Sequence, residues 1–108
     1  FVTPEYDYFA PATLVNAIQC LSQEWKYKPA GVVSYGGVSA GLRAAQVLRT
    51  LLGNIGAVAI PQGVPLPFFA EFIDDENRFV PTGKVTDGAK LMLTELAKWG
   101  TALKGIRE

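Results

Sequence analysis

The chain alternates short apolar runs with helical stretches, and no hairpin turn joins any two of the runs. That alternation limits the fold more than any other feature. Phe1-Val2-Thr3 reads as the end of a strand. Gly31-Val32-Val33-Ser34-Tyr35 is a β-branched run, and Ala57-Val58-Ala59-Ile60 is another. Both fit strands buried on two faces. Strands separated by helices pair parallel, with right-handed crossovers and helices packed on the sheet. The expected order is β-α-β-α-β-α in one domain, residues 1–108.

Helical spacing fills the gaps. Pro11 suits a first helical turn, where its missing N–H costs nothing. Leu14, Ile18, Leu21 and Trp25 then mark one apolar face, and Lys28-Pro29-Ala30-Gly31 ends that helix. Ser39 is the expected N-cap of a second helix. Leu42, Ala45, Leu48, Leu51 and Leu52 form its stripe, with Arg43 and Arg49 facing solvent and Gly53-Asn54 as the stop. Pro61 is expected to end the third strand. An irregular stretch then runs to Thr86, carrying Pro65, Pro67, Pro81 and the aromatics Phe68, Phe69 and Phe72. Its length marks it as functional or interfacial. A last helix begins near Thr86-Asp87, burying Ala89, Met92, Leu93, Leu96, Trp99 and Leu103. Lys98, Lys104 and Arg107 sit late in it, where cations complement the dipole.

Composition removes several functions. Ten basic residues balance ten acidic ones, and no basic block recommends nucleic acid or an acidic membrane surface as a partner. No stretch is apolar for long enough to span a bilayer, and no signal peptide opens the chain, so a cytoplasmic protein is the default. There is no histidine and one cysteine, Cys20. A disulfide framework and a zinc site are therefore not expected. Cys20 reads as a buried or idle thiol, Asp74-Asp75-Glu76 as a solvated turn, and Trp25 and Trp99 as core. Without histidine, chemistry must come from a cofactor, a carboxylate, a tyrosine or the backbone.

In an open parallel sheet, ligands bind beyond the carboxyl ends of the strands. Three loops lie there: Pro4–Ala10, Gly36–Val38 and Pro61–Thr86. In Thr3-Pro4-Glu5-Tyr6-Asp7, a proline just after a strand fixes the path of the backbone that follows. Read alone, this is a rigid turn with a packed tyrosine. In Ser34-Tyr35-Gly36-Gly37, two glycines admit a ligand close to the backbone, and a helix N-terminus follows. The dinucleotide fingerprint and the P-loop are both absent. Read alone, this is a tight strand-to-helix turn.

Together the two loops resemble the NAD(P)H-dependent FMN reductase family. The carrying residues are Thr3-Pro4-Glu5-Tyr6, Asn16-Ala17-Ile18, Trp25, Lys28-Pro29, Ser34-Tyr35-Gly36-Gly37 and Gly41. Their order and spacing match over the first half of the chain. The resemblance implies a flavodoxin-like parallel sheet with flanking helices. It implies FMN as cofactor, with Thr3, Pro4, Glu5, Tyr6 and Asp7 on one side of the flavin ring. Ser34, Tyr35, Gly36 and Gly37 would border the other side. The family usually has Asn where this chain has Asp7, which accepts hydrogen bonds but donates none through an amide. The family's phosphate-binding loop has no counterpart here, so the first two βα units are expected to be missing. The chain then reads as the later part of a longer protein, or as one whose upstream residues were removed.

The activity so implied passes hydride from NAD(P)H through flavin N5 to a flavin, a quinone or a similar small electron acceptor. No catalytic side chain and no metal is called for. Tyr8, Phe9, Phe68 and Phe69 could stack on nicotinamide or substrate, or serve as core or interface aromatics. A homo-oligomer, dimer or tetramer, is expected. Two other functions fit the same residues. One is a non-enzymatic electron carrier, although such carriers tend to be acidic. The other is a structural module that has lost the cofactor.

Overall fold

The computed structural model describes residues 1–107. Strands β1 (Val2–Pro4), β2 (Pro29–Tyr35) and β3 (Val58–Leu66) form one parallel sheet in the order β1-β2-β3. Helices α1 (Ala12–Gln19), α2 (Leu42–Asn54) and α3 (Gly83–Arg107) connect and follow them. The alternation read from the sequence is the alternation observed.

Two cores sandwich the sheet, because successive strand side chains point to opposite faces. On one face Ala30 and Val32 of β2 meet Ile18 of α1 and Ala44, Leu48 and Leu52 of α2. On the other, Val33 and Tyr35 join Ile60, Val64, Leu66 and Met92 of α3. Leu48 is fully buried. Leu48→Ala is expected to cost about 3 kcal/mol, the transfer term plus the cavity left behind. Urea unfolding would check it, and a loss under 1 kcal/mol would contradict the packing described.

Several boundaries differ from the sequence reading, each for a physical reason. The first helix does not run on to Trp25 but stops at Gln19, and Trp25 sits in a separate 3-10 turn, Gln23–Trp25. There its indole N–H donates to the Ile18 carbonyl at 2.9 Å, satisfying one acceptor freed by the helix end. Its ring packs on Phe1 at 5.8 Å. Cys20, just past this helix, is exposed.

Strand β3 does not end at Pro61; it passes through Pro61 and Pro65 to Leu66. Proline interrupts a central strand, but β3 is an edge, where a missing N–H can face outward. Its register slips beside β2: Ala30 pairs with Ala59, yet Val32 pairs with Gly63. Arg49 does not face solvent. Its guanidinium donates to the carbonyls of Ile60 at 2.8 Å and Pro61 at 3.1 Å, acceptors within this bulge. The irregular stretch is thereby shortened, and a 3-10 turn, Phe69–Phe72, divides it further.

Helix α3 begins at Gly83, earlier than Thr86-Asp87, with the Thr82 hydroxyl accepting from the Val85 N–H at 3.3 Å. Its buried stripe is narrower than expected. Val85, Ala89, Met92 and Leu96 face the sheet, while Leu93 and Trp99 are exposed. A helix of 25 residues is about 38 Å long, and a strand of 9 residues about 30 Å, so its last turns overshoot the sheet. Among the described residues, no helix is long and apolar enough to cross a membrane.

Candidate functional site

The three strands end in line. Pro4 is the register partner of Tyr35, and Tyr35 of Leu66. The loops that follow therefore leave the sheet side by side, and hydrogen bonds tie them into one platform.

The first tie is a carboxylate. The residue before helix α2 is Gly41, in the left-handed region at φ 74°, and it offers no side chain to cap the helix. Ser39 is not its N-cap. Glu5, in the loop after β1, supplies the missing acceptor. Its carboxylate accepts from the Arg43 N–H at 2.9 Å, the Arg43 guanidinium at 3.0 Å and the Ser39 hydroxyl at 2.8 Å. An acid at a helix N-terminus also meets the favourable end of the dipole. The Glu5 side chain is only 9% exposed. Its removal from water pushes the carboxyl pKa up. The hydrogen bonds from Ser39 and Arg43 outweigh that, leaving the group below its ordinary value. Arg43, expected to face solvent, is thus a structural partner, and its guanidinium also lies 3.6 Å from the centre of the Tyr8 ring.

The second tie joins the other two loops. Phe68 and Phe69 donate their N–H groups to the carbonyls of Gly37 and Gly36, at 3.0 and 3.1 Å. Gly36 in turn donates to Leu66 at 3.3 Å. Among the described residues, the N–H groups of Gly37, Val38 and Ser39 have no partner. A Cβ added at Gly37 would meet nothing within 4 Å, so open space lies beside these donors.

The residues singled out from the sequence divide by where their side chains go. Thr3 and Ser34 are buried, and their hydroxyls are spent on the carbonyls of Pro4 at 2.8 Å and Ala40 at 2.9 Å. Only their backbone could meet a ligand. Glu5 turns inward to α2. Tyr6 is exposed, and so are Asp7, Tyr8 and Phe9. Tyr6 and Phe9 exchange backbone hydrogen bonds at 2.9 Å across a two-residue tip, where Asp7 and Tyr8 both have positive φ. A short polar residue such as Asp tolerates that conformation better than most. Tyr35 packs edge-to-face on Phe69 at 5.7 Å. Both border an apolar cleft of about 370 Å³ that Val2, Val33, Leu66, Ile73 and Phe79 complete. The sequence reading missed Ser39 and Arg43 as partners of Glu5. The i, i+4 spacing of Ser39 and Arg43, one helical turn apart behind a glycine pair, was the available signal.

Elsewhere, the acidic run forms a turn. Asp74 accepts from the N–H groups of Glu76 and Arg78 and from the Arg78 guanidinium, all at 2.9 Å. Among the described residues, no group of three or more His, Cys, Asp or Glu is placed to hold a metal ion.

This geometry, three parallel strands flanked by helices with two loops joined across neighbouring strand ends, is that of a flavodoxin-like α/β protein. The chain belongs to the NADPH-dependent FMN reductase family, whose model matches residues 1–71. It is 50% identical over 74 residues to an NAD(P)H-dependent FMN reductase of Saccharomyces cerevisiae, covering 62% of this chain and 39% of that protein. It is 49% identical over 47 residues to a second one, from Schizosaccharomyces pombe, covering 44% of this chain and 24% of that protein. The chain thus spans less than half the length of these curated relatives. Among solved structures, it is similar to FerB, a flavoenzyme NAD(P)H:(acceptor) oxidoreductase from Paracoccus denitrificans. The TM-score is 0.63 at 23% identity, over 96% of this chain and 59% of that one. That likeness places the parallel sheet and its helices in the flavodoxin-like fold.

Proposed function

We propose that this chain carries the ring-side half of an FMN site in an oxidoreductase. The enzyme would use NAD(P)H to reduce a flavin, a quinone or a similar small acceptor. The observation that carries this reading is the fixed platform of Pro4–Ala10 and Gly36–Ser39. Its free N–H groups and open glycine face suit the polar edge of a flat ring. Thr3, Pro4, Tyr6 and Asp7 would approach from one side, with Glu5 holding their loop in place. Tyr35, Gly36 and Gly37 would approach from the other, with Ser34 contributing only backbone.

Held by the Thr3–Asp7 and Tyr35–Gly37 backbone, FMN would supply the hydride-transfer chemistry at flavin N5. The chain's own residues would orient the ring. They do not fit the phosphate. The cations at these loops, Arg43 and Arg78, are each already held by carboxylates. A phosphate anchor must come from elsewhere for tight binding. The reading includes a homo-oligomer, dimer or tetramer, in the cytoplasm. The oligomer is supported by the exposed apolar residues Leu91, Leu93 and Ile106 along α3 and by Phe68 and Phe69 at the platform.

Titration of FMN into the protein expressed from its complete reading frame tests the proposal. Quenching of flavin fluorescence at micromolar FMN is expected. No uptake at that concentration would sink it. Stopped-flow mixing with NADPH should then bleach the bound flavin; binding without bleaching would favour an electron carrier instead.

A further inference from the structure

We propose that Arg43 is a positioning residue of the ligand platform. Its guanidinium lies between the Glu5 carboxylate and the Tyr8 ring and fixes the gap between the two loops that border the ligand. The proposal rests on the flavin reading above.

The tip of the loop after β1 is closed by its own Tyr6–Phe9 backbone hydrogen bonds. It places two non-glycine residues, Asp7 and Tyr8, at φ 49° and 68°. Such a conformation persists only when surrounding contacts over-determine it. Beyond the Tyr6–Phe9 pair, contacts that set the tip against the sheet edge come from the start of α2. Arg43 reaches the loop at two points: Glu5, through both its backbone N–H and its guanidinium, and Tyr8, through the flat face of the guanidinium. A planar cation can do both at once; an ammonium group keeps the charge but cannot lie flat on the ring. Tyr8 itself is 70% exposed. An exposed ring held rigid on one side leaves its opposite side available, next to the ligand-bearing backbone of Tyr6.

Arg43 is not needed to seat the helix. Ala44, Ala45, Leu48 and Leu52 bury α2 without it. Its loss should therefore release the loop while sparing the core, which separates positioning from general stability.

The test compares the wild-type protein with Arg43→Met, Arg43→Lys and Tyr8→Leu, all from the complete reading frame. FMN dissociation constants and the visible circular dichroism of bound flavin are measured, together with thermal midpoints. Arg43→Met is expected to weaken FMN about tenfold and to alter the visible dichroism. Arg43→Lys should fall between it and wild type, and Tyr8→Leu should reproduce part of the loss with the Glu5 pair intact. Wild-type affinity and dichroism in Arg43→Met would overturn the proposal. If Arg43→Met fails to fold, wild-type behaviour of both other variants overturns it equally. If the wild-type protein takes up no FMN, the flavin reading fails and the positioning role fails with it.

Discussion

Gly41→Ala is expected to destabilise the protein by on the order of 4 kcal/mol, enough to unfold many small domains. Two independent costs add. At φ 74° a residue with a Cβ is in the left-handed region, which costs about 1–2 kcal/mol. The new Cβ would also stand 2.6 Å from the Tyr35 nitrogen, 2.7 Å from the Tyr35 carbonyl oxygen and 2.9 Å from the Ser34 Cβ. These are backbone and buried atoms of β2, so no flexible side chain can swing aside. The helix start would have to lift off the strand, pulling the Gly36–Ser39 loop with it. Gly37→Ala is the control, because its Cβ would enter open space. It should change stability by no more than about 0.5 kcal/mol. Urea unfolding of the two variants decides the matter, and equal midpoints would refute the account of Gly41.

The second large effect belongs to Glu5. Glu5→Ala removes the acceptor of the Arg43 N–H, the Ser39 hydroxyl and the Arg43 guanidinium together. The expected loss is about 1–3 kcal/mol at neutral pH, combining a lost helix cap with the Ser39 hydroxyl and the part-exposed Arg43 guanidinium left without their acceptor. The same carboxylate makes stability depend on acidity. Its folded-state pKa lies below the ordinary value of 4.5 because Ser39 and Arg43 favour the ionised form over the penalty of burial. The contribution is therefore complete above about pH 4.5 and is lost as the pH falls through the lower folded value. Glu5→Gln keeps the shape without the charge. The stability gap between wild type and Glu5→Gln should be constant near neutrality and shrink in acid. A gap that stays unchanged to pH 2 would show that Glu5 gains nothing from its charge.

Much of the fold was legible because its signals are local. The β-branched runs at Val32–Val33 and Val58–Ile60 and the helical spacing of Leu48 and Leu52 state their roles within a few residues. Pro61 misled because proline's meaning depends on whether a strand is central or at an edge, which is a fact of sheet order. Trp99 misled because an apolar helical face is buried only where something lies opposite it. At the site, the motif residues announced two loops but not the task of each side chain. Thr3, Glu5 and Ser34 look like ligand contacts in a list of letters, yet their polar atoms hold the scaffold. The pairing of Glu5 with Arg43 spans 38 residues and arises only when neighbouring strands are set in register.

The two margins of the sheet are not equivalent. Along β3, Pro61 and Pro65 interrupt the row of backbone donors that an arriving strand would need. Along β1, only the final residue, Pro4, lacks a donor, and Val2 stands exposed beside the apolar cleft. The sheet is therefore asymmetric: prolines break the donor row twice along β3 and once, at its end, along β1. A further strand, from this molecule or from a neighbour, would meet fewer interruptions at β1, beside the Pro4–Ala10 loop. Extension of the sheet there would build directly against that loop.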